Sequence, residues 1–501
     1  MLNDGYTKRN YYRFGCISSF ALSSLFIVAV SGLAGEIAKA DVATLERLVN
    51  ATVKSGEREK LSISVADVTS GEIVYQLNGT TARVPASVLK TVTSVAALEE
   101  LGAHYRFRTD FFMASSNKVA VKEKGRSGLE DLYVRGGGDP SLLSSKLWEV
   151  AEQLKAQGIE QVGDLVLDDS AFISPRGALG SNPYQAALSA TSLDHNCYRL
   201  FISPGAAAGQ AAHTMLSLGA GFKLVNRVRT VRGEQKELNW SQSDAAVGEP
   251  EMTVTASGVI GVNAEPYVEY LTVPTPSRYF GHVFRQLLGS VGIATRGQIR
   301  MGITPNNARK ILSFASKDLA LIIYDLNHYS SNFMAEQIVY ALGENDGEFD
   351  HKRGVQRLKK LLQRIGVDSS QFQVVDGSGL DRDNRLSTSA LVRTLVYAYQ
   401  KLGIGPDLLA SFSRFGATGT LKKRSVGDAN ASLSTPVGSP LGSLGERSAG
   451  VWGKTGSLDG VSSVVGLLED SQRRRLAYAI ISNGFVSKEM EDRMISALLG
   501  E

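Results

Sequence analysis

The 501-residue chain is too long for one ordinary domain, so two or three units are expected. Its 43% apolar and 21% charged residues are those of a folded globular protein and exclude a collagen, a coiled coil and wholesale disorder. The formal net charge is only +4, and part of it sits in the first forty residues, so nothing in the charge favours a nucleic-acid partner.

At the N-terminus, Lys8, Arg9 and Arg13 precede an apolar stretch from Ile17 to Ala34, and Ala38-Lys39-Ala40 offers a small-x-small cleavage site before Asp41. Residues 1–40 therefore read as a signal peptide, which implies export to the periplasmic or cell-wall space, with at most a loose membrane association. The alternative is an uncleaved anchor. Ser18, Ser19, Ser23, Ser24, Ser31 and Gly32 interrupt the apolar run and argue against it. Cys16 lies before that run and is badly placed for lipid attachment. No later segment is apolar and long enough to span a bilayer.

Beyond the leader, Asp41 to Val49 reads as a short amphipathic helix. Leu61 to Asp67 and Ile73 to Leu77, joined by Thr69-Ser70-Gly71, read as a β-hairpin. Pro85-Ala86-Ser87 opens a helix whose Val88, Leu89, Val92, Val95, Leu98 and Leu101 recur at helical spacing and which Gly102 ends. From 103 to 274 the texture changes. Short strand-like runs occur at 107–113, 132–134 and 165–167, a helical run at 142–154, and an Ala/Gly-rich loop with a short strand at 204–220. Gly136-Gly137-Gly138-Asp139-Pro140 lacks the spacing of a phosphate cradle and reads as a turn.

Helical patterns return from 275, at 281–291, 332–342, 354–362 and 390–402. Strands follow at 450–455, 461–468 and 476–482, and a last helix at 489–499. The expected fold is α/β, more narrowly α+β, with an antiparallel sheet flanked by helices. Residues 41–102 and 275–501 would form it, and 103–274 would be a mostly-β insertion of two small nested domains. Without the leader only Cys197 remains, so no internal disulfide is expected, and this thiol reads as buried and inert. The six histidines are scattered without an HExxH, so no metal and no cofactor are expected.

Three short motifs carry the chemistry: Ser87-Val88-Leu89-Lys90 (SxxK), Ser330-Ser331-Asn332 (SxN) and Lys454-Thr455-Gly456 (KTG). Each alone is a weak signal. Ser115-Ser116-Asn117-Lys118 matches two of them in a polar stretch with no helix to hold it, and reads as chance. The others have context. Ser87 and Lys90 share one helical turn, Asn332 starts a helix, and Lys454 lies on a strand that begins a hairpin. The bland alternatives are capping serines at 87 and 330, a solvated Lys90 and a strand-edge Lys454. A serine hydroxyl needs a base, and a lysine whose pKa is lowered by burial or by a second cation can serve. Backbone N–H groups of Ser87 and Ser457 are candidates for the oxyanion hole. Lys454, Thr455, Ser457 and Arg382 are candidates to bind a substrate carboxylate. No GxSxG elbow competes.

With these motifs in place, the mature chain resembles the class C low-molecular-mass penicillin-binding proteins, the D-alanyl-D-alanine carboxypeptidase/endopeptidase group. The resemblance rests on Val84-Pro85-Ala86-Ser87, Leu132-Tyr133 ahead of Gly136–Pro140, and Gly163-Asp164-Leu165 ahead of Asp168–Phe172. It continues in Asn327–Asn332 with Ala335-Glu336, in Asp376–Leu380 with Arg382, Asn384 and Arg385, in Gly419-Thr420-Leu421 with Arg424, and in Gly453–Leu458.

The resemblance implies a transpeptidase-like fold with its insertion between SxxK and SxN, which 243 residues separate here. It implies that Ser87 is acylated by the penultimate D-Ala carbonyl of a peptidoglycan stem peptide. The same serine would cut D-alanyl-meso-diaminopimelate cross-links, and β-lactams would trap it. Lys90 would be the acylation base, Ser330 the proton shuttle, and Asn332 the holder of the substrate amide. Lys454, Thr455, Gly456 and Ser457 would line the carboxylate site. Asp168 would face the diaminopimelate amine, with Arg382 on the carboxylate side.

The chain departs from the family pattern at Ser331, His328 and Ala171, which bears on side-chain preference. Three rival readings remain: a serine β-lactamase, a non-catalytic peptidoglycan-binding scaffold of the same fold, and an esterase or aminopeptidase using the same serine–lysine pair.

Overall fold

Both ends of the chain meet in one six-stranded antiparallel sheet. Its order is Ile73–Leu77, Leu61–Asp67, Arg475–Asn483, Val461–Glu469, Val451–Leu458 and the short Ser413–Arg414. The computed structural model describes residues 43–115, 129–180, 182–217, 221–243, 252–426, 450–470, 473–485 and 487–499. The expected signal segment, its cleavage site, Cys16, and positions 116–118 of the chance motif lie outside the described residues.

Leu61 pairs with Ser482 and Val65 with Tyr478, so the first strand locks onto the last. The strand alternation sorts side chains onto two covered faces. Ala477, Ala479 and Ile481 pack into a core with Lys90–Glu100, Leu319–Tyr329, Asn332–Leu342, His351–Arg364 and Thr388–Tyr399. Leu476, Tyr478 and Ile480 face the other way, against the helix at 43–52 and the helix Lys488–Leu498. A sheet covered on both faces explains why Val461–Glu469 is buried almost throughout.

The middle of the chain builds separate sheets over a second core. A five-stranded sheet has the order Ile299–Met301, Leu165–Asp168, Glu130–Arg135, Arg108–Ser115, Arg309–Ala315, and Ser144–Ala156 and Pro276–Ser290 pack on it. Two three-stranded sheets follow, one of Phe222–Val231, Met252–Gly261 and Lys236–Ser243, the other of Tyr267–Thr272, Cys197–Ser203 and His213–Leu216.

The expected boundary at 275 is corrected by this packing. The helix from 276 buries Tyr279, Phe280, Val283 and Phe284 in the second core, and the strands at 299–301 and 309–315 complete its sheet. The return to the helical part comes after 315.

The elements expected on strong periodicity are present, several within a residue or two of their expected ends. Asn332–Leu342 starts and stops where expected, because Ser331 Oγ accepts from the Met334 N–H and Gly343 ends the helix. The helix at Ser87 differs. Ala86–Leu89 forms a 3-10 turn, and the α-helix begins at Lys90. Among the described residues, the α-helices Leu319–Tyr329, Gly405–Ser411 and the short Ser55–Arg58 went unread in the sequence. The first carries Leu319, Ile322, Ile323 and Leu326 at helical spacing, which was available as a signal. No described helix is long and apolar enough to cross a membrane.

Candidate active site

Three elements converge on Ser87. The first is its own turn. Ala86, with φ at 52°, takes a left-handed conformation unusual for a residue with a Cβ, and this turns the chain sharply into the 3-10 segment. Two glycines let other backbone approach closely. A Cβ on Gly379 would sit 1.9 Å from the Ala86 carbonyl oxygen, and one on Gly456 would sit 2.8 Å from the Ser87 nitrogen. The KTG strand therefore lies against the backbone of the Ser87 turn. Ser463 Oγ secures the same turn by donating to the Pro85 carbonyl at 2.7 Å.

Lys90 sits one turn beyond Ser87 with its side chain fully buried. Its Nζ donates to Ser87 Oγ at 2.8 Å, to Asn332 Oδ1 at 2.6 Å and to the Ser378 carbonyl at 2.6 Å. Burial pulls its pKa down to about 7, against the opposing pull of the Asp376 and Glu336 carboxylates. At neutral pH a substantial fraction is thus a free amine in contact with a serine hydroxyl, as nucleophile activation requires.

The SxN loop supplies the second wall. Ser330 ends the helix Leu319–Tyr329 in a left-handed conformation, φ 55°. Its Oγ accepts from Lys454 Nζ at 2.8 Å. Asn332 lends its carbonyl oxygen to Lys90 and donates its amide to the Tyr184 carbonyl at 3.1 Å. Lys454 is also fully buried, and its remaining recorded bond goes to the Thr455 carbonyl at 2.6 Å. Burial, and then the charge of Lys90, hold its pKa well below the lysine range. No carboxylate pairs with Lys90 or Lys454 among the described residues.

Thr455 shares a hydrogen bond with Thr420 at 2.8 Å, and Ser457 is exposed further along the strand. The short strand Ser413–Arg414 pairs only with Trp452 and Gly453. Beyond Lys454 that side of the KTG strand has no strand neighbour among the described residues. Arg382 reaches the same hairpin, donating to the Asp459 carbonyl at 2.6 Å.

Asp168 makes none of these contacts. It is fully buried in the five-stranded sheet. Its carboxylate accepts from Ser170 Oγ at 2.6 Å, the Thr304 N–H at 2.7 Å and Arg135 Nε at 3.3 Å. Burial would raise its pKa, but the bonds from Ser170 and Thr304 outweigh that and hold it low. This is a carboxylate committed to its own sheet, which corrects its expected position against a substrate amine.

Sequence reasoning quoted Glu336 and Ser378 only as parts of longer phrases, and missed His351 and Tyr184. Glu336 is fully buried. It accepts from His351 at 2.6 Å and from the Ser378 N–H at 2.8 Å, so it fixes the turn whose carbonyl holds Lys90. Burial would raise its pKa, but the bond and charge of His351 prevail and keep it ionised.

Cys197 is part-buried, and burial pushes its pKa up to about 12, which makes it inert as a nucleophile. No cluster of three or more metal-binding side chains occurs among the described residues.

The profile of the D-Ala-D-Ala carboxypeptidase 3 (S13) family matches residues 45–499. A D-alanyl-D-alanine carboxypeptidase from an Actinomadura species is 30% identical over 448 residues, covering 84% of this chain and 77% of that one. The D-alanyl-D-alanine carboxypeptidase DacB of Haemophilus influenzae is 24% identical over 489 residues, covering 95% and 94%. The crystal structure of penicillin binding protein 4 from Haemophilus influenzae superposes with a TM-score of 0.70 at 21% identity, covering 91% of this chain and 97% of that one. The same protein complexed with a β-lactam gives 0.67. The structural likeness extends to the fold.

Proposed function

The chain belongs to the D-Ala-D-Ala carboxypeptidase 3 (S13) family, the class C low-molecular-mass penicillin-binding proteins and serine-type peptidases, and on that premise we propose how its own residues act. Ser87 is the nucleophile, and Lys90 in its neutral form is the base. Lys90 takes the hydroxyl proton while Oγ attacks the carbonyl carbon of the penultimate D-Ala. The N–H groups of Ser87 and Ser457 receive the developing oxyanion. Lys90 gives that proton up by way of Ser330, which Lys454 holds, to the departing amine, so the C–N bond breaks and Lys90 is neutral again. Water then hydrolyses the ester on Ser87 with Lys90 again as base.

One observation carries this reading. Lys90, buried with no carboxylate in direct contact, donates to the Ser87 hydroxyl at 2.8 Å. An ammonium buried in that way costs several kcal/mol, of order 3–5, unless it neutralises. The cost is explained if the amine is the reagent. Lys454 supports a carboxylate site by the same logic, because a substrate ending in a carboxylate supplies the missing counter-charge, with Thr455, Gly456, Ser457 and Arg382 around it. Activity on cross-links, trapping by β-lactams and export to the cell-wall space belong to the same proposal.

The test is a muropeptide digest read by mass spectrometry. Loss of one terminal D-Ala is expected from pentapeptides, and conversion of cross-linked dimers to monomers if the endopeptidase arm is present. Intact muropeptides together with rapid benzylpenicillin turnover would instead identify a β-lactamase. Neither product would leave a scaffold.

A further inference from the structure

A cavity of about 750 Å3 is lined in part by Ser330, Ser331 and Asn332 of the SxN loop, and Ser87 is not part of its lining. Ser330 and Asn332 form a wall shared with the catalytic cleft, since both also contact the two buried lysines. The opposite wall comes from the inserted body. Tyr270 and Arg199 stand directly opposite each other on adjacent strands there. The size suits an organic ligand of two sugar rings better than a single residue.

The lining has a particular chemistry. Three tyrosines ring it and keep much of their surface free: Tyr184 and Tyr270 at 51% and Tyr329 at 75%. Asp194, Asp325 and Arg199 add two carboxylates and a guanidinium, with Asp325 paired to Lys317 and Asp194 accepting from the Ser144 N–H. Part-exposed aromatic faces are electron-rich and attract the polarised C–H groups on the flat side of a pyranose ring. A carboxylate and a guanidinium among them suit hydroxyl and acetamido groups, which donate and accept. A peptide strand would instead seek an unpaired backbone edge, and a lipid chain an apolar trough without charges.

We propose that this cavity is a saccharide subsite that holds the amino-sugar backbone of the substrate's own polymer beside the peptide being cut. The inference rests on the peptidoglycan reading above and extends it. A stem peptide of three or four residues, extended at about 3.5 Å each, puts the sugar roughly 10–14 Å from the scissile bond, so a saccharide site is expected beside the cleft rather than in it. The insertion then has a role in recognition, because it supplies the wall that carries Tyr270 and Arg199.

Two measurements test it. The first compares kcat/KM for D-Ala release from a disaccharide-pentapeptide and from the same pentapeptide without sugar. The wild type is expected to favour the sugar-bearing substrate about tenfold, through KM. The double substitution Tyr270→Ala with Arg199→Ala, at part-exposed positions, should erase that preference and leave the bare peptide unchanged. Equal kcat/KM for both substrates in the wild type overturns the proposal, as does a double variant that loses both equally, which would assign the cavity to peptide.

The second is calorimetric titration with a peptide-free N-acetylglucosamine oligomer. Binding that weakens at least tenfold in the double variant supports the subsite, and no binding to the wild type overturns it. This arm reports on the cavity even if neither substrate releases D-Ala, an outcome that would sink the peptidase reading instead.

Discussion

The catalytic cleft and the inserted body both bury charge, but they treat it in opposite ways. In the insertion, Arg300 lies 3.2 Å from Asp131 and 2.9 Å from Asp164, and Asp168 is ringed by Ser170, Thr304 and Arg135. Each of these carboxylates is answered. In the cleft Lys90 and Lys454 are fully buried and answered only by neutral oxygens. Ion-paired buried charges fix a scaffold, whereas a buried amine with no carboxylate in direct contact is driven toward its neutral, basic form. The contrast also separates the environment of Asp168 from that of Lys90, two residues that the family resemblance placed in one site.

The largest effect expected from breaking the cleft is at its centre. Ser87→Ala should lower D-Ala release by at least about 10^4-fold with the fold intact, measured by coupled release of D-Ala alongside circular dichroism. Unaltered release would remove Ser87 from the reaction.

Lys90→Met should cost about 10^3-fold in kcat/KM and should also change how stability depends on pH. Lys90 has a folded pKa near 7, below its unfolded value, so between those two pH values the unfolded chain binds more protons and stability rises with pH. Relative to Lys90→Met, the wild type should therefore gain on the order of 2 kcal/mol between pH 7 and 9. Urea melts of both proteins at the two pH values give this difference directly. Parallel behaviour would mean that Lys90 is not buried as an amine near neutrality.

Lys454→Ala should raise KM about tenfold or more for substrates ending in a free carboxylate. The same change should have far less effect on an amidated analogue, and equal losses on the two would contradict an anion site.

Glu336→Gln sharpens the comparison, because Glu336 is a buried carboxylate that serves the cleft. Its charge helps hold Lys90 protonated, so removing it should move the acid limb of the kcat/KM profile to lower pH. The rate at the optimum should fall about tenfold, because the turn holding Lys90 loses its anchor. A loss of rate with an unmoved profile would reduce Glu336 to a purely structural part.

Asp168→Asn should do least to chemistry. A cost of about 1–3 kcal/mol in stability is expected, with kcat/KM within about twofold.

The way these residues came to light follows the range of the forces involved. Local periodicity and capping exposed the hairpin at 61–77, the helix at 332–342 and the closing strands, since each is decided within a dozen residues. Fixed spacings exposed SxxK, SxN and KTG. Contacts made only after closure stayed hidden. Tyr184 reaches Asn332, and Glu336 reaches Lys90 through Ser378 and is itself held by His351; none of these pairs has a spacing that sequence can register. The true extent of the insertion stayed hidden for the same reason. The helix at 276–290 reads like any other amphipathic helix until its partner core is known. Asp168 misled because its phrase matched a family pattern, while its environment was set by Thr304, far along the chain.

The account stands on the Ser87 hydroxyl as the group that becomes acylated. Incubation with benzylpenicillin, followed by digestion and peptide mass mapping, addresses it most directly. A stoichiometric adduct confined to the peptide containing Ser87, released over hours rather than seconds, is the predicted result. An adduct on another serine, or an unlabelled protein that still releases D-Ala, would contradict it.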